Sequence, residues 1–212
     1  MKVNIQNIYK WFFSPVSVGV LTVITIASSP SLSFGAATTN ISSPTTSRKL
    51  VAQNEGNYRN NTFKLRFNYS TKDFVLDHKT TRPSSNLNLL VIDLWNKKHA
   101  QKIKAGAYEG GAEYPANAQV RVYYNPRRLS LQNWVKQSQD FAAPKKFSNV
   151  KIAGQNALQF ESSGLYENKH TVLINPKNSN IIVISLSQIG SGNDDAIYRK
   201  GYQQVLQSLR FN

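Results

Sequence analysis

The sequence predicts an α+β fold built on an antiparallel sheet, and three observations carry that prediction. Phe63, Leu65 and Phe67 alternate with Lys64 and Arg66, the period of two expected of a strand with one buried face. Three further strand-like runs, Ala157–Ser162, His170–Ile174 and Asn180–Leu186, follow one another near the C-terminus. Tyr166-Glu167-Asn168 and Asn175-Pro176-Lys177-Asn178 supply turn chemistry between them, so the three runs read as an antiparallel meander. A helix over residues 195–209 closes the chain, because Tyr198, Tyr202, Val205, Leu206 and Leu209 share one stripe.

The N-terminus reads as a targeting segment. Lys2 and Lys10 precede an apolar run, Val16 to Ala27, and small residues follow from Ser28 to Ala37. That order is the pattern of a secretory signal peptide, assigned to residues 1–37. Ser33 and Gly35 suit cleavage before Ala36, and Gly35 and Ala37 suit cleavage before Thr38. An uncleaved anchor is the alternative, since Trp11 to Phe13 lengthen the apolar region. Ser14-Pro15 interrupts it, however, and the clean run is shorter than the roughly 20 residues a spanning helix needs. Export is therefore the expectation. Residues 38–57, rich in Ser, Thr and Asn, read as a flexible tether. The folded domain is expected over residues 58–212.

Within that domain, Phe74 to Leu76 reads as a short extended piece after the turn-like Ser70-Thr71-Lys72-Asp73. Leu87 to Trp95 is apolar on both faces apart from Asn88 and Asp93, as expected of a central strand covered on both sides. Residues 105–117 form a Gly-containing loop. Val120, Val122 and Tyr124 then alternate with Arg121 and Tyr123 in another strand, which Asn125-Pro126 ends. Ser130 can cap a helix that places Leu131, Trp134 and Val135 on one face. Val150 and Ile152 lead into Ala153-Gly154-Gln155-Asn156, which reads as a tight turn between two strands. No helix follows to present amides to a phosphate. In the closing helix, Asn193 or Asp194 can serve as cap, and Asp194, Asp195 and Arg210 complement the macrodipole. Gly201 inside that helix costs roughly 1 kcal/mol against alanine, which points to close packing there.

Composition narrows the function classes. The chain contains no cysteine, which removes disulfides, thiolate metal sites and cysteine nucleophiles. Its formal net charge is +15; without Lys2 and Lys10 it keeps 24 basic and 11 acidic residues, a net charge of +13. A field of that sign speeds association with anionic partners and weakens in salt. Export argues against nucleic acid. The expected partners are therefore anionic membrane surfaces, acidic loops of membrane proteins, or acidic polysaccharide. A search for catalytic motifs finds no GxSxG elbow, HExxH, Walker A or EF-hand pattern. Gly190-Ser191-Gly192 precedes Asn193-Asp194-Asp195 and reads as a loop with a helix cap. The three histidines, His78, His99 and His170, read as surface residues. No enzyme and no cofactor is expected.

The more informative features are basic clusters: Lys97, Lys98, Lys102 and Lys104; Arg127 and Arg128; Lys145 and Lys146. Trp95, Tyr108 and Tyr114 lie near the first of them in sequence. Basic residues beside aromatics make a docking surface plausible on composition, since Tyr, Trp and Arg dominate binding hot spots. A solvated lysine-rich face is the bland alternative.

The order Val150-Lys151-Ile152-Ala153-Gly154-Gln155-Asn156-Ala157, then Thr171 to Ile174, Ile181 to Leu186 and a last helix ending Val205-Leu206-Gln207-Ser208-Leu209-Arg210-Phe211 resembles the PsbP/Mog1-like family. Phe63 to Ser70 sits where that family has an aromatic strand, although Asp73-Phe74 replaces the family's proline- and tryptophan-containing turn. The resemblance spans about residues 60–211. It implies an α/β/α sandwich around an antiparallel β-sheet and a non-catalytic role. It also implies location in a thylakoid lumen or periplasm, peripheral membrane association, and a membrane protein complex with an acidic surface, photosystem II above all, as partner. Because some relatives bind metals at surface His and acidic residues, it further implies a candidate divalent metal or calcium site at Asp77 and His78.

Overall fold

A computed structural model describes residues 54–80, 88–111, 115–163, 167–188 and 193–212. The signal segment, most of the tether and Tyr114 lie outside these residues. The chain opens with strands β1 (Glu55–Asn60), β2 (Leu65–Ser70), β3 (Phe74–Thr80) and β4 (Asn88–Asn96). Helix α1 (Lys97–Lys104) and strand β5 (Ala118–Tyr123) follow. Next come helix α2 (Leu131–Gln137) and strands β6 (Lys145–Ile152), β7 (Gln155–Ser163), β8 (Glu167–Ile174) and β9 (Ile181–Gln188). Helix α3 (Asn193–Ser208) and the two-residue strand β10 (Arg210–Phe211) end it.

Seven strands form one sheet in the order β3-β4-β5-β9-β8-β7-β6. Every neighbouring pair in it is antiparallel. The expected meander is its β7-β8-β9 portion. β6 joins β7 through Ala153 and Gly154, whose φ angles of 52° and 75° are both positive. That backbone suits a two-residue hairpin turn matching the right-handed twist of the strands. The glycine at this point makes a turn and nothing more.

Core packing divides between the two faces of the sheet. On one face, Leu90, Ile92 and Leu94 of β4, Val120 and Val122 of β5 and Ile182 and Ile184 of β9 meet α3, whose Tyr198, Tyr202, Val205, Leu206 and Leu209 are all buried. The stripe predicted from periodicity is thus the stripe that packs. A methyl group at Gly201 would come within 2.6 Å of the Phe74 ring, the close packing that the glycine foreshadowed. A second, three-stranded sheet of order β1-β2-β10 lies beside α3. There Leu65 and Phe67 are fully buried, and the Tyr58 ring stacks on Phe67 at 5.1 Å. On the opposite face, Trp134 and Val135 of α2 join Phe141 over Leu158, Phe160, Val172, Ile181 and Val183. The layers therefore stack as helix, sheet and helix.

The structure departs from the sequence expectations in three places. β1 begins at Glu55, three residues before the expected domain start. The described part of the apolar strand, residues 88–95, is not evenly covered on both sides beyond Leu89. Leu90, Ile92 and Leu94 are buried, while Val91, Asp93 and Trp95 on the other face stay half-buried, because the seven-residue α2 contacts β7 and β8 instead. His99 and His170, read as surface residues, are 7% and 4% exposed.

Candidate docking surface

Helix α1 collects the first basic cluster. Asn96 caps it by accepting a hydrogen bond from the Lys98 amide at 2.9 Å. His99 turns inward, its Nδ1 2.8 Å from the Tyr198 hydroxyl and its Nε2 3.2 Å from the Asp194 carboxylate. The Tyr198 hydroxyl also accepts the Asn96 amide at 2.9 Å. Burial pushes the Tyr198 hydroxyl well above the usual tyrosine range, so it stays protonated. One buried tyrosine thus ties the start of α1 to α3.

Because successive helical residues turn by about 100°, Lys97, Lys98, Gln101, Lys102 and Lys104 fall within one arc of about 160°. All five are exposed. None of the four lysines is ion-paired with a described residue. Asp194, at the start of α3, is paired with His99. Four positive charges therefore share a helix about 12 Å long, close to the Debye length of about 10 Å at 0.1 M salt, and a partner meets them together. Trp95 and Tyr108 stand half-buried near the two ends of α1.

The other basic residues do not join this patch. Arg127 and Arg128 follow β5 beyond Tyr123, which is paired with Asn88 at the far end of β4 from α1. The length of β4 separates the two clusters by roughly 27 Å. Arg127 donates to Gln137 Oε1 at 2.7 Å, and Arg128 adopts a φ of 47°. Lys145 and Lys146 open the opposite edge strand, β6, and are paired with Glu167 at 3.1 Å and Glu161 at 2.8 Å. Asp77 and His78 leave β3 on opposite faces. Asp77 lies 3.7 Å from Lys79, whereas the His78 ring meets Tyr58 edge-on at 6.2 Å. The two do not converge on one ion, and no group of three or more His, Asp or Glu suited to a metal occurs among the described residues.

One arrangement escaped sequence reasoning. His170 sits between two serines, with Nε2 2.8 Å from Ser162 Oγ and Nδ1 2.8 Å from Ser185 Oγ. A serine beside a histidine resembles a nucleophile and its base. Both serines are buried, at 3% and 7% exposure, and the ring packs against Phe141 and Phe160. A serine occupies the position where a catalytic site would place a carboxylate to orient the ring. Burial drives the His170 pKa down to about 3, so the ring is neutral and satisfies one serine as donor and the other as acceptor. The cluster is part of the core. Its partners lie 8 and 15 residues away in sequence, with no spacing signal to reveal them.

No protein-family model matches the chain, and no curated protein matches its sequence. Among solved structures it is similar to the solution structure of cyanobacterial PsbP (CyanoP) from Synechocystis sp. PCC 6803, with a TM-score of 0.46 and 14% identity. That match covers 77% of this chain and 96% of the other. A similarity of this size does not carry function from one chain to the other. No helix among the described residues is long and apolar enough to cross a membrane.

Proposed function

We propose that this protein is a non-catalytic accessory protein that docks through the lysine face of α1 onto an acidic surface of a membrane protein complex. The compartment is the lumenal or periplasmic side of the membrane, and the family resemblance of the sequence points to photosystem II as the complex. The observation that carries this reading is the set of four exposed lysines, with no ion-pair partner among the described residues, on one face of a rigidly held helix. A pre-positioned helix loses little conformational freedom on binding, so more of its Coulomb attraction survives as affinity. The N-terminal signal pattern supplies the route to the compartment. Anionic lipid or polymer remains the second partner class, favoured by the same charge.

Salt distinguishes this mechanism from apolar anchoring. Attraction between exposed charges fades as the Debye length falls from about 10 Å at 0.1 M to about 3 Å at 1 M. The protein should sediment with native membranes at low salt and be released at 1 M NaCl without detergent. Zero-length carboxylate–amine crosslinking should join Lys97 or Lys98 to an acidic residue of the partner. Retention at 1 M salt, or a fully soluble protein at low salt, contradicts the proposal.

A further inference from the structure

The three-stranded sheet carries charge in a way its ladder does not explain. Arg59 of β1 lies directly opposite Arg66 of β2, and Arg66 lies directly opposite Arg210 of β10. Three arginines, all exposed, therefore stand in one row across the outer face of the sheet. Neighbouring strands lie about 4.8 Å apart, so the row spans about 10 Å. Like charges directly opposite each other destabilise a sheet. None of the three is ion-paired with a described residue. Glu55, the one acid of these strands, stands at the other end of β1, opposite Ser70, and accepts from Asn68 Nδ2 at 2.9 Å.

The platform beneath the row is firm. On its inner face Leu65 and Phe67 are fully buried, and Ser208 Oγ accepts the Asn68 amide at 2.9 Å, tying the end of α3 to β2. Neutral acceptors hold the outer two arginines. Arg59 Nε donates to Asn61 Oδ1 at 3.1 Å, which leaves its two Nη groups free to bind. Arg210 Nη1 donates to the Gln207 and Leu209 carbonyls at 3.0 and 2.6 Å, which leaves its Nε–Nη2 edge. The Arg66 guanidinium between them has no partner among the described residues. The large apolar side chains exposed among the described residues, Val75, Tyr124 and Phe147, all lie off these three strands. The face thus lacks the apolar anchors that hold a protein in a lipid surface.

We propose that the Arg59, Arg66 and Arg210 row binds an acidic helix of a protein partner, laid across the strands. Residues at i and i+4 of a helix face have Cβ atoms about 5–6 Å apart, close to the spacing of the row, whereas alternate residues of a strand lie about 7 Å apart. Each guanidinium can take one carboxylate through two parallel N–H donors. The row lies about 13 Å along β2 from Ser70, the end from which the chain turns toward β3 and α1. It does not depend on the docking role of the α1 lysines.

The test titrates the full-length protein with a stapled, alanine-based helical peptide carrying glutamates at successive i, i+4 positions. A peptide of the same composition with its glutamates spread round the helix is the control for net charge. Vesicles of phosphatidylglycerol and phosphatidylcholine are the control for a lipid surface. The readouts are the Nε–H resonances of Arg59, Arg66 and Arg210. A saturable shift with the first peptide is expected, with weaker binding of both controls. Arg66→Gln should weaken binding by roughly tenfold or more, as befits hydrogen bonds to a charged group. It should also raise the melting temperature, because it ends the repulsion along the row. Arg66→Lys keeps the charge but loses the planar fork, and should recover only part of the lost affinity. Lys97→Glu with Lys98→Glu should leave the titration unchanged. Equal affinity for the two peptides, tighter binding to the vesicles, full affinity in either Arg66 variant, or a titration lost in the α1 variant overturns the proposal.

Discussion

Helices α1 and α3 meet at one buried joint, the His99–Tyr198–Asp194 cluster, yet they obey opposite rules. α3 follows the physics of a stable helix: Asp194 and Asp195 lie in its first turn, and a continuous apolar stripe is buried on the sheet. α1 begins with Lys97 and Lys98, which oppose the macrodipole, and places Lys98 and Lys102 four residues apart as like charges. Nothing in its packing requires this. Local choices that cost stability without a structural reason tend to mark functional surfaces. α3 holds the fold; α1 is held by it and presents charge.

The largest effect should come from breaking α3. Leu206 is 5% exposed within the main core, so Leu206→Ala should cost about 2–5 kcal/mol in chemical denaturation. A change near zero would place the helix's weight elsewhere and erase the contrast with α1. Gly201→Ala tests the same interface from the opposite direction. Alanine is the better helix former by about 1 kcal/mol, but its methyl would overlap the Phe74 ring. Destabilisation should result, and Phe74→Leu should relieve part of it.

Acid tests the core on the other face of the sheet. The His170 pKa of about 3 lies below the ordinary value of 6.5, so its stabilising contribution is complete above pH 6.5. Between pH 6.5 and about 3 the unfolded chain binds the proton and the folded chain does not, so stability falls with pH. At about 1.4 kcal/mol per pH unit, the loss by pH 4.5 is on the order of 2–3 kcal/mol. His170→Gln, which can still pair with both serines, should flatten that slope. An unchanged slope would mean that carboxylates dominate acid unfolding.

The joint itself should show a smaller effect. Tyr198→Phe leaves the Asn96 amide and His99 Nδ1 without their shared partner, a cost of about 1–3 kcal/mol. Amide exchange should speed up first in α1, with α3 protected. Uniform loss of protection would mean that the two helices open as one unit.

The same contrast explains what was legible in the sequence. α3 could be read because its stripe repeats at helical spacing, and the β6–β7 turn because Ala153-Gly154 lies between apolar alternations. α1 was illegible. Its inward face is built on His99, a residue type that usually reads as exposed, and its burial depends on Tyr198, 99 residues away. β1, with the sequence EGNYRN, has poor strand propensity and forms through its ladder with β2 and the stacking of Tyr58 on Phe67. The lysines of the basic clusters were visible one by one. Their grouping was not, since ion pairing at Lys145 and Lys146 and the length of β4 are properties of the fold.

That grouping gives the smallest expected effect on stability and the most direct test of docking. Lys97→Glu with Lys98→Glu puts acids in the first turn of α1 and turns the repulsion between positions 98 and 102 into attraction. The fold should gain between a few tenths and about 1 kcal/mol. Lys145→Glu with Lys146→Glu changes the net charge by the same amount but breaks two exposed ion pairs, which solvent screens and which contribute little to stability. If net charge alone attracts the protein to membranes, both pairs of substitutions should reduce low-salt membrane binding equally. If α1 is the docking surface, the α1 pair should slow association sharply while the β6 pair has little effect. Equal losses would dissolve the distinction between the two lysine groups. A loss confined to the more stable protein would show that α1 exchanges stability for recognition.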